Sequence, residues 1–445
     1  MVARDPARLT GERPPRVLVV GSTALLTDRY ELTMLASALR DGSAGRSCVF
    51  ETFARRLPHG RRYGVVAGTG RLLDALESFR FGPDELAVLS DSGLDGTTLD
   101  WLAEWRFTGD IDGYAEGELW FPNSPVLTVT GTFGEAVLLE TLALSILNHD
   151  CAIAAAAARM ATAAGDRPLI EMGSRRTHEE AAVAAARAAY LGGFSSTSNL
   201  EAGRRYGVPT SGTAAHAFTL LHDDEAAAFK AQIDALGVGT TLLVDTYDIA
   251  QGIRTAIEVA GPSLGAVRID SGDLSVLALE SRELLDSLGA TGTRIVLSGD
   301  LDEFAIAGLS GAPVDVYGVG TSLVTGSGAP TAGMVYKLVE VDGRPVAKRS
   351  EHKATQGGRK TALRRHRATG TATEEVLVVK GSPSLGPHDR LLQVPLVRGG
   401  ERVDDPADLG AARTRLAAAL RTVPWEGLKL SQGEPALPTV LLEGP

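Results

Sequence analysis

The chain has 445 residues, 44% of them apolar, with 51 glycines and 21 prolines, enough to bury a large core and to build more than one domain. A net charge of −11 argues against a nucleic-acid or anionic-membrane partner, because such proteins usually carry a basic surface. Its two cysteines, Cys48 and Cys151, make neither a disulfide framework nor a metal-ligand spacing, so a reducing cytoplasm is the simplest compartment.

Residues 1–15 are charged and contain proline; they read as a frayed arm with no signal-cleavage context behind it. A helix is expected over 29–39, capped by Thr27 or Asp28 and stopped near Gly42. The following hundred residues mix strand-like runs such as "CVFETFARR" and "VLTVTG" with short helices, which suggests an α+β domain over 16–140. The apolar, Ala-rich stretches around 136–164 contain Glu140, His149, Asp150 and Arg159 and read as buried helices rather than a membrane span.

Over 141–345 the texture changes to short apolar runs ending in polar residues, each followed by a helical stretch. The runs are "PLIEMGSR", "YLGGFSSTSN", "GVPTSGTAAH", "TTLLVDTYD", "LGAVRIDSGD", "TRIVLSGDLD" and "VDVYGVGTS". They imply βα units on a parallel sheet, an α/β fold of irregular TIM-like barrel type. Thr177 and Glu180 form a capping-box pattern for a helix that Gly192 and Gly193 stop. Beyond 346 a basic stretch ending in "KTALRRHR" leads to alternating "EEVLVVKG" and "RLLQVPLVRGG" and then a helix over 408–421. This C-terminal β-rich segment is expected to pack with the N-terminal domain.

Barrels collect their chemistry at the carboxyl ends of the strands. Arg268 and Asp270, two apart on one strand, point to the same side. They read either as a structural ion pair or as an anion hook with its own counter-charge. Arg175 and Arg176 before a helix start are either a solvated surface or a phosphate site. Gly318, Gly320 and Thr321 in "YGVGTS" offer backbone N–H groups and a hydroxyl to an oxyanion. Asp245, Asp248, Asp270, Asp273, Asp300 and Asp302 cluster near the same face, where some could hold Mg²⁺; Asp273 and Asp302 are the leading helix-cap candidates. His216 follows Gly212, Thr213, Ala214 and Ala215, whose small side chains leave room at an imidazole that is either structural or a nucleophile.

"TDRYELTM", "EMGSRR", "GGFSSTSN", "SGTAAH", "DTYD", "VRIDSGD" and "YGVGTS", in this order between about Thr27 and Lys337, resemble nicotinate phosphoribosyltransferase. The resemblance implies an irregular α/β barrel with an α+β domain built from both chain ends. It implies the joining of nicotinate to 5-phosphoribosyl 1-pyrophosphate, coupled to ATP hydrolysis, with Mg²⁺ on the pyrophosphate. It further implies a homodimer in which Asp28 and Tyr30 come from the partner. By the same resemblance His216 is the residue that ATP phosphorylates, and Tyr30, Thr213, Arg268 and Ser198 belong to the nicotinate site. Arg175, Ser298, Gly299, Gly318, Gly320 and Thr321 would serve the phosphates, and Asp270 the reacting ribose or ring. Ser198 stands where the related nicotinamide enzymes have an aspartate, which would repel a carboxylate. A phosphosugar aldolase would need a strand-end lysine, and none of the seven runs ends in one.

Overall fold

The computed structural model describes residues 21–348, 356–381, 383–403 and 408–443. The frayed arm expected over 1–15 and the first part of the basic stretch, 349–355, lie outside these residues. The chain divides into two compact units, one over 156–328 and one made of 17–155 with 329–445.

The first unit is α/β, built on a six-stranded sheet. Its strands run in the order Ser196–Thr197, Leu169–Glu171, Val316–Val319, Arg294–Ser298, Ala266–Ile269, Thr241–Leu243. Every neighbouring pair is parallel. Ala266, Val296 and Val316 form one buried cluster across three of these strands, with Ile170 packed against it. That burial explains why the runs read as apolar stretches rather than as alternating ones. Each strand leads into a helix, and Asp248, Asp273 and Asp302 cap three of them by accepting the backbone N–H groups of Gln251, Val276 and Ala305.

Two local expectations fail here. "GVPTSGTAAH" is not a strand: Thr210 makes a single parallel bridge to Thr197, and the glycine, proline and small residues around it cannot sustain a ladder. The helix Glu179–Leu191 is capped by His178, whose ring accepts the Glu180 N–H, while Thr177 lies outside after the short turn Ser174–Arg176. The helix begins two residues after Thr177, so the expected box is out of register.

The second unit is α+β. Its seven-stranded antiparallel sheet runs Arg344–Pro345, Met334–Val341, Ser47–Ala54, Leu127–Thr132, Asp110–Tyr114, Gln393–Arg398, Glu401–Arg402. Met334–Val341 thus belongs to this sheet, not to the barrel span drawn to 345. Its alternating burial is that of a strand with one face on a core. The predicted N-terminal helix forms as Arg29–Asp41, two residues longer than expected, and ends at Gly42 in the left-handed region (φ 80°). Asp28 makes no side-chain cap there; the Thr27 hydroxyl donates to Glu31 instead. Among the described residues one helix is long and apolar enough to cross a membrane, Glu140–Ala164, and 72% of its apolar window is buried within the protein.

The C-terminal "KTALRRHR" supplies the strand Lys360–His366, whose Lys360, Arg364 and Arg365 each pair with a carboxylate. Arg364 is 1% exposed and donates to Glu118 at 2.6 Å and to Glu375 at 2.7 Å. Tyr114 donates to Glu375 at 2.7 Å, and Lys360 pairs with buried Glu51 at 2.7 Å. Burial pushes the Glu118 carboxyl up, but Arg364 and Arg390 outweigh it and hold it below the usual carboxylate range. Arg364→Ala removes the guanidinium that pairs with buried Glu375 and leaves Glu118 with Arg390 alone, so urea unfolding should show a loss of about 3–5 kcal/mol. A loss below about 1 kcal/mol would mean that the pair does not tie the C-terminal segment to the sheet.

Candidate active site

Register builds the centre of the site. Leu243, Arg268 and Val296 stand side by side on adjacent strands, and Ser298 pairs with Gly318 on the next. From this row Arg268 donates Nε to Ser298 Oγ at 2.8 Å, one terminal nitrogen to Thr213 Oγ1 at 3.1 Å and the other to Asp270 Oδ1 at 2.7 Å. A guanidinium carries five N–H donors. Three are therefore engaged within the protein, and two remain for a bound anion.

The Ser298 hydroxyl also donates to Asp270. Burial pushes the Asp270 carboxyl up, but the hydrogen bonds from Ser298 and Arg268 and the guanidinium charge prevail, leaving it below the usual carboxylate range. Asp270 is therefore an anion at neutral pH, pinned by two donors. Gly299 follows with φ 109°, and a Cβ there would lie 2.2 Å from the Asp270 carbonyl oxygen, so only glycine allows this close crossing.

His216 opens the short helix His216–Leu220 and keeps its side chain 42% exposed. Nδ1 lies 3.3 Å from Thr246 Oγ1, and Nε2 lies 3.8 Å from Asp245 Oδ1. The Asp245 side chain is 1% exposed. Its Oδ2 accepts the Asp270 backbone N–H at 2.8 Å and the Ser271 hydroxyl at 3.0 Å, while Oδ1, facing the imidazole, has no hydrogen-bond partner. One carboxyl group thus holds the Asp270 turn through one oxygen and presents the other, without a hydrogen-bond partner, to His216. Around Gly212 the space is open: a Cβ there would meet nothing within 4 Å.

Thr213, His216, Arg268, Asp270 and Ser298 are therefore brought together. Arg175 is exposed in the turn Ser174–Arg176 and Ser198 is exposed just beyond its strand. Gly320 caps the four-residue helix Thr321–Val324, with Thr321 exposed. Among the described residues no hydrogen bond joins Arg175, Ser198 or Thr321 to the Arg268 cluster. Gly318 is buried, and a Cβ there would lie 2.9 Å from Met172 Sδ and 3.2 Å from Ser298 Cβ, so the position leaves little room for a side chain. Tyr30 belongs to the other unit, where it is 45% exposed; burial and the nearby Glu140 and Glu31 push its hydroxyl above the usual tyrosine range.

With Asp248, Asp273 and Asp302 spent on helix caps, no group of three or more His, Cys, Asp or Glu side chains among the described residues is arranged to hold a metal. The sequence placed Asp245 only among the strand-end carboxylates of which some could hold Mg²⁺, and gave Glu171 no role at all. Glu171 is fully buried at the end of Leu169–Glu171 and accepts from the Gly173 N–H and the Thr197 hydroxyl. Its signal was a lone charge closing an apolar run.

A family model described as the N-terminal domain of nicotinate phosphoribosyltransferase matches residues 25–148. The chain is 67% identical over 425 residues to nicotinate phosphoribosyltransferase pncB1 of Mycobacterium tuberculosis, covering 93% of this chain and 94% of that protein. It is 41% identical to the nicotinate phosphoribosyltransferase of Bacillus subtilis, over 77% of this chain and 73% of that one. The crystal structure of human nicotinic acid phosphoribosyltransferase superimposes with a TM-score of 0.83 at 27% identity, covering 94% of this chain and 97% of that one. Sequence identity sustained along nearly the whole length, together with the shared architecture, shows that the chain belongs to the nicotinate phosphoribosyltransferase family.

Proposed function

We propose that this protein joins nicotinate to 5-phosphoribosyl 1-pyrophosphate, releasing nicotinate mononucleotide and pyrophosphate, and couples the reaction to ATP hydrolysis through His216. The observation that carries this reading is the Arg268 guanidinium, fixed by Ser298, Thr213 and Asp270 with two N–H donors to spare. Those donors suit a carboxylate fork, and Thr213 shares the nicotinate site. Tyr30 would border the pyridine ring from the partner of a homodimer. Leu25, Leu26, Tyr30 and Met34 leave an apolar face exposed near that helix, which supports such a partner.

The pyridine nitrogen forms its bond to C1 of the ribose as the C1–oxygen bond to pyrophosphate breaks. Positive charge develops on the ribose meanwhile, and ionised Asp270 favours it. Ser298 acts through Asp270 and Arg268, since its one proton is already donated to Asp270. Arg175, Gly299, Gly318, Gly320 and Thr321 line the phosphate side in this reading. Mg²⁺, when bound, would neutralise the leaving pyrophosphate; with no three-ligand cluster among the described residues, the substrate phosphates would supply most of its ligands.

Asp245 faces Nε2 of His216 and favours the tautomer with the proton there, so the electron pair on Nδ1 is the one offered once the Thr246 hydroxyl beside it turns away. That nitrogen takes the γ-phosphoryl group as the bond to ADP breaks, and water later releases inorganic phosphate. The open space around Gly212 supports access of a polyphosphate. The strand order supports a barrel: numbered along the chain, the six strands follow 2-1-6-5-4-3, a circular order whose single seam lies between Thr197, with its Thr210 bridge, and Thr241–Leu243. The free cysteines Cys48 and Cys151, both buried, suit work in a reducing cytoplasm.

The test is product formation from phosphoribosyl pyrophosphate, Mg²⁺ and either nicotinate or nicotinamide, with and without ATP. Nicotinate-selective, ATP-stimulated turnover is expected; a folded protein that turns over only nicotinamide would contradict the reading. His216→Ala should lose ATP hydrolysis and ATP stimulation while keeping slow, uncoupled transfer. Persistent stimulation would place the phosphoryl acceptor elsewhere. Ser198→Asp should raise the KM for nicotinate at least about tenfold, equivalent to about 1.4 kcal/mol; unchanged nicotinate kinetics would remove Ser198 from ring recognition.

A further inference from the structure

Glu171 has an uncommon environment. It is fully buried, and among the described residues it pairs with no cation. An ionised carboxylate kept from water is costly unless donors surround it. Here burial pushes the carboxyl above its usual range, and the Thr197 hydroxyl and the Gly173 N–H pull only part of the way back. A well-packed apolar residue would serve a purely structural core better.

The donors reveal what the carboxylate joins. One oxygen accepts the Gly173 N–H, at the start of the turn that carries Arg175; the other accepts the Thr197 hydroxyl, on the strand that ends at Ser198. Thr197 Oγ1 in turn accepts the Asn199 N–H at 2.9 Å, and Asn199 Nδ2 donates to Ser174 Oγ at 3.0 Å. The bonds close a circuit from Glu171 through Gly173 and Ser174 to Asn199, Thr197 and back. The Glu171 carbonyl oxygen also accepts the Ser198 N–H at 2.8 Å. Gly173 leaves no room for a side chain within this circuit: a Cβ there would lie 2.2 Å from Val324 Cγ1 and 2.9 Å from Glu171 Oε1.

We propose that Glu171 is a positioning residue for phosphoribosyl binding, its carboxylate fixing the Arg175 turn against the strand end that bears Ser198. Arg175 itself is exposed and makes no hydrogen bond or ion pair among the described residues, so its aim depends on the turn beneath it. This inference rests on the phosphoribosyl transfer proposed above, with Arg175 on the phosphate.

The experiment measures ribose 5-phosphate binding to the whole protein by calorimetry, together with steady-state kinetics for phosphoribosyl pyrophosphate. Glu171→Gln and Thr197→Val should each weaken ribose 5-phosphate binding about tenfold and raise the KM for phosphoribosyl pyrophosphate more than they lower kcat. Thr197→Ser, which keeps the hydroxyl, should restore near wild-type values. In an Arg175→Ala background, Glu171→Gln should add little further loss, because its effect passes through Arg175. Should either buried variant fail to fold, Ser174→Ala removes only the Asn199 link and should still cost about threefold in binding.

Binding within twofold of wild type in these folded variants, or full additivity with Arg175→Ala, would overturn the role of Glu171. The reading of function is tested separately, by wild-type turnover. If wild type turns over nicotinate while the variants bind ribose 5-phosphate normally, only Glu171 is refuted. If wild type makes no product while the variants lose binding, the reaction is refuted and the positioning role stands.

Discussion

A single guanidinium held at three points organises the carboxyl end of the parallel sheet. Arg268 meets Ser298 from the neighbouring strand, Thr213 from the segment before His216 and Asp270 from its own strand. An arginine side chain carries about 2 kcal/mol of rotamer entropy, and here most of that freedom is already lost before any ligand arrives. The strand register must hold to within a residue, since a one-residue slip would turn Arg268 to the opposite face. Gly299 is part of the same constraint, because its missing side chain lets the Asp270 carbonyl pass close by.

Charge is balanced within the cluster. Asp270 neutralises much of the Arg268 charge, yet the two free N–H donors still offer a directional fork, which is how a site can bind a carboxylate selectively without a strong unspecific field. Asp245 performs a comparable double duty, holding the Asp270 turn through one oxygen and facing His216 with the other. Carboxylates are also the fastenings elsewhere: Glu171 ties two strand ends, and Glu118, Glu375 and Glu51 anchor the C-terminal strand through Arg364 and Lys360. An acidic protein has used its acids as internal hydrogen-bond acceptors as well as surface charges.

What was legible in the chain depended on length of pattern and on side-chain chemistry. Asp273 and Asp302 announced helix caps because a short carboxylate before an apolar helical run has few other uses. Arg268 and Asp270 could be paired from the two-residue strand period. Ser196–Thr197 and Thr241–Leu243 are two and three residues long, too short to show a period, so only their polar ends marked them. "GVPTSGTAAH" imitated such a run yet supplies one bridge, because strand-like placement there comes from tertiary contact with Thr197. Met334–Val341 was drawn into the barrel span although Gly326, Gly328, Pro330 and Gly333 mark a break before it and its alternation matched a strand with one buried face. Glu171 escaped notice because its meaning lies in Gly173 and Thr197, one of them twenty-six residues away.

What occupies the free edge of Arg268 is read most directly from a crystal structure of the protein with nicotinate bound. The proposed reaction predicts the nicotinate carboxylate within hydrogen-bond reach of the Arg268 guanidinium and the Thr213 hydroxyl, with the Ser298 and Asp270 contacts unchanged. A carboxylate bound elsewhere, with Arg268 still closed on its three partners, would contradict it.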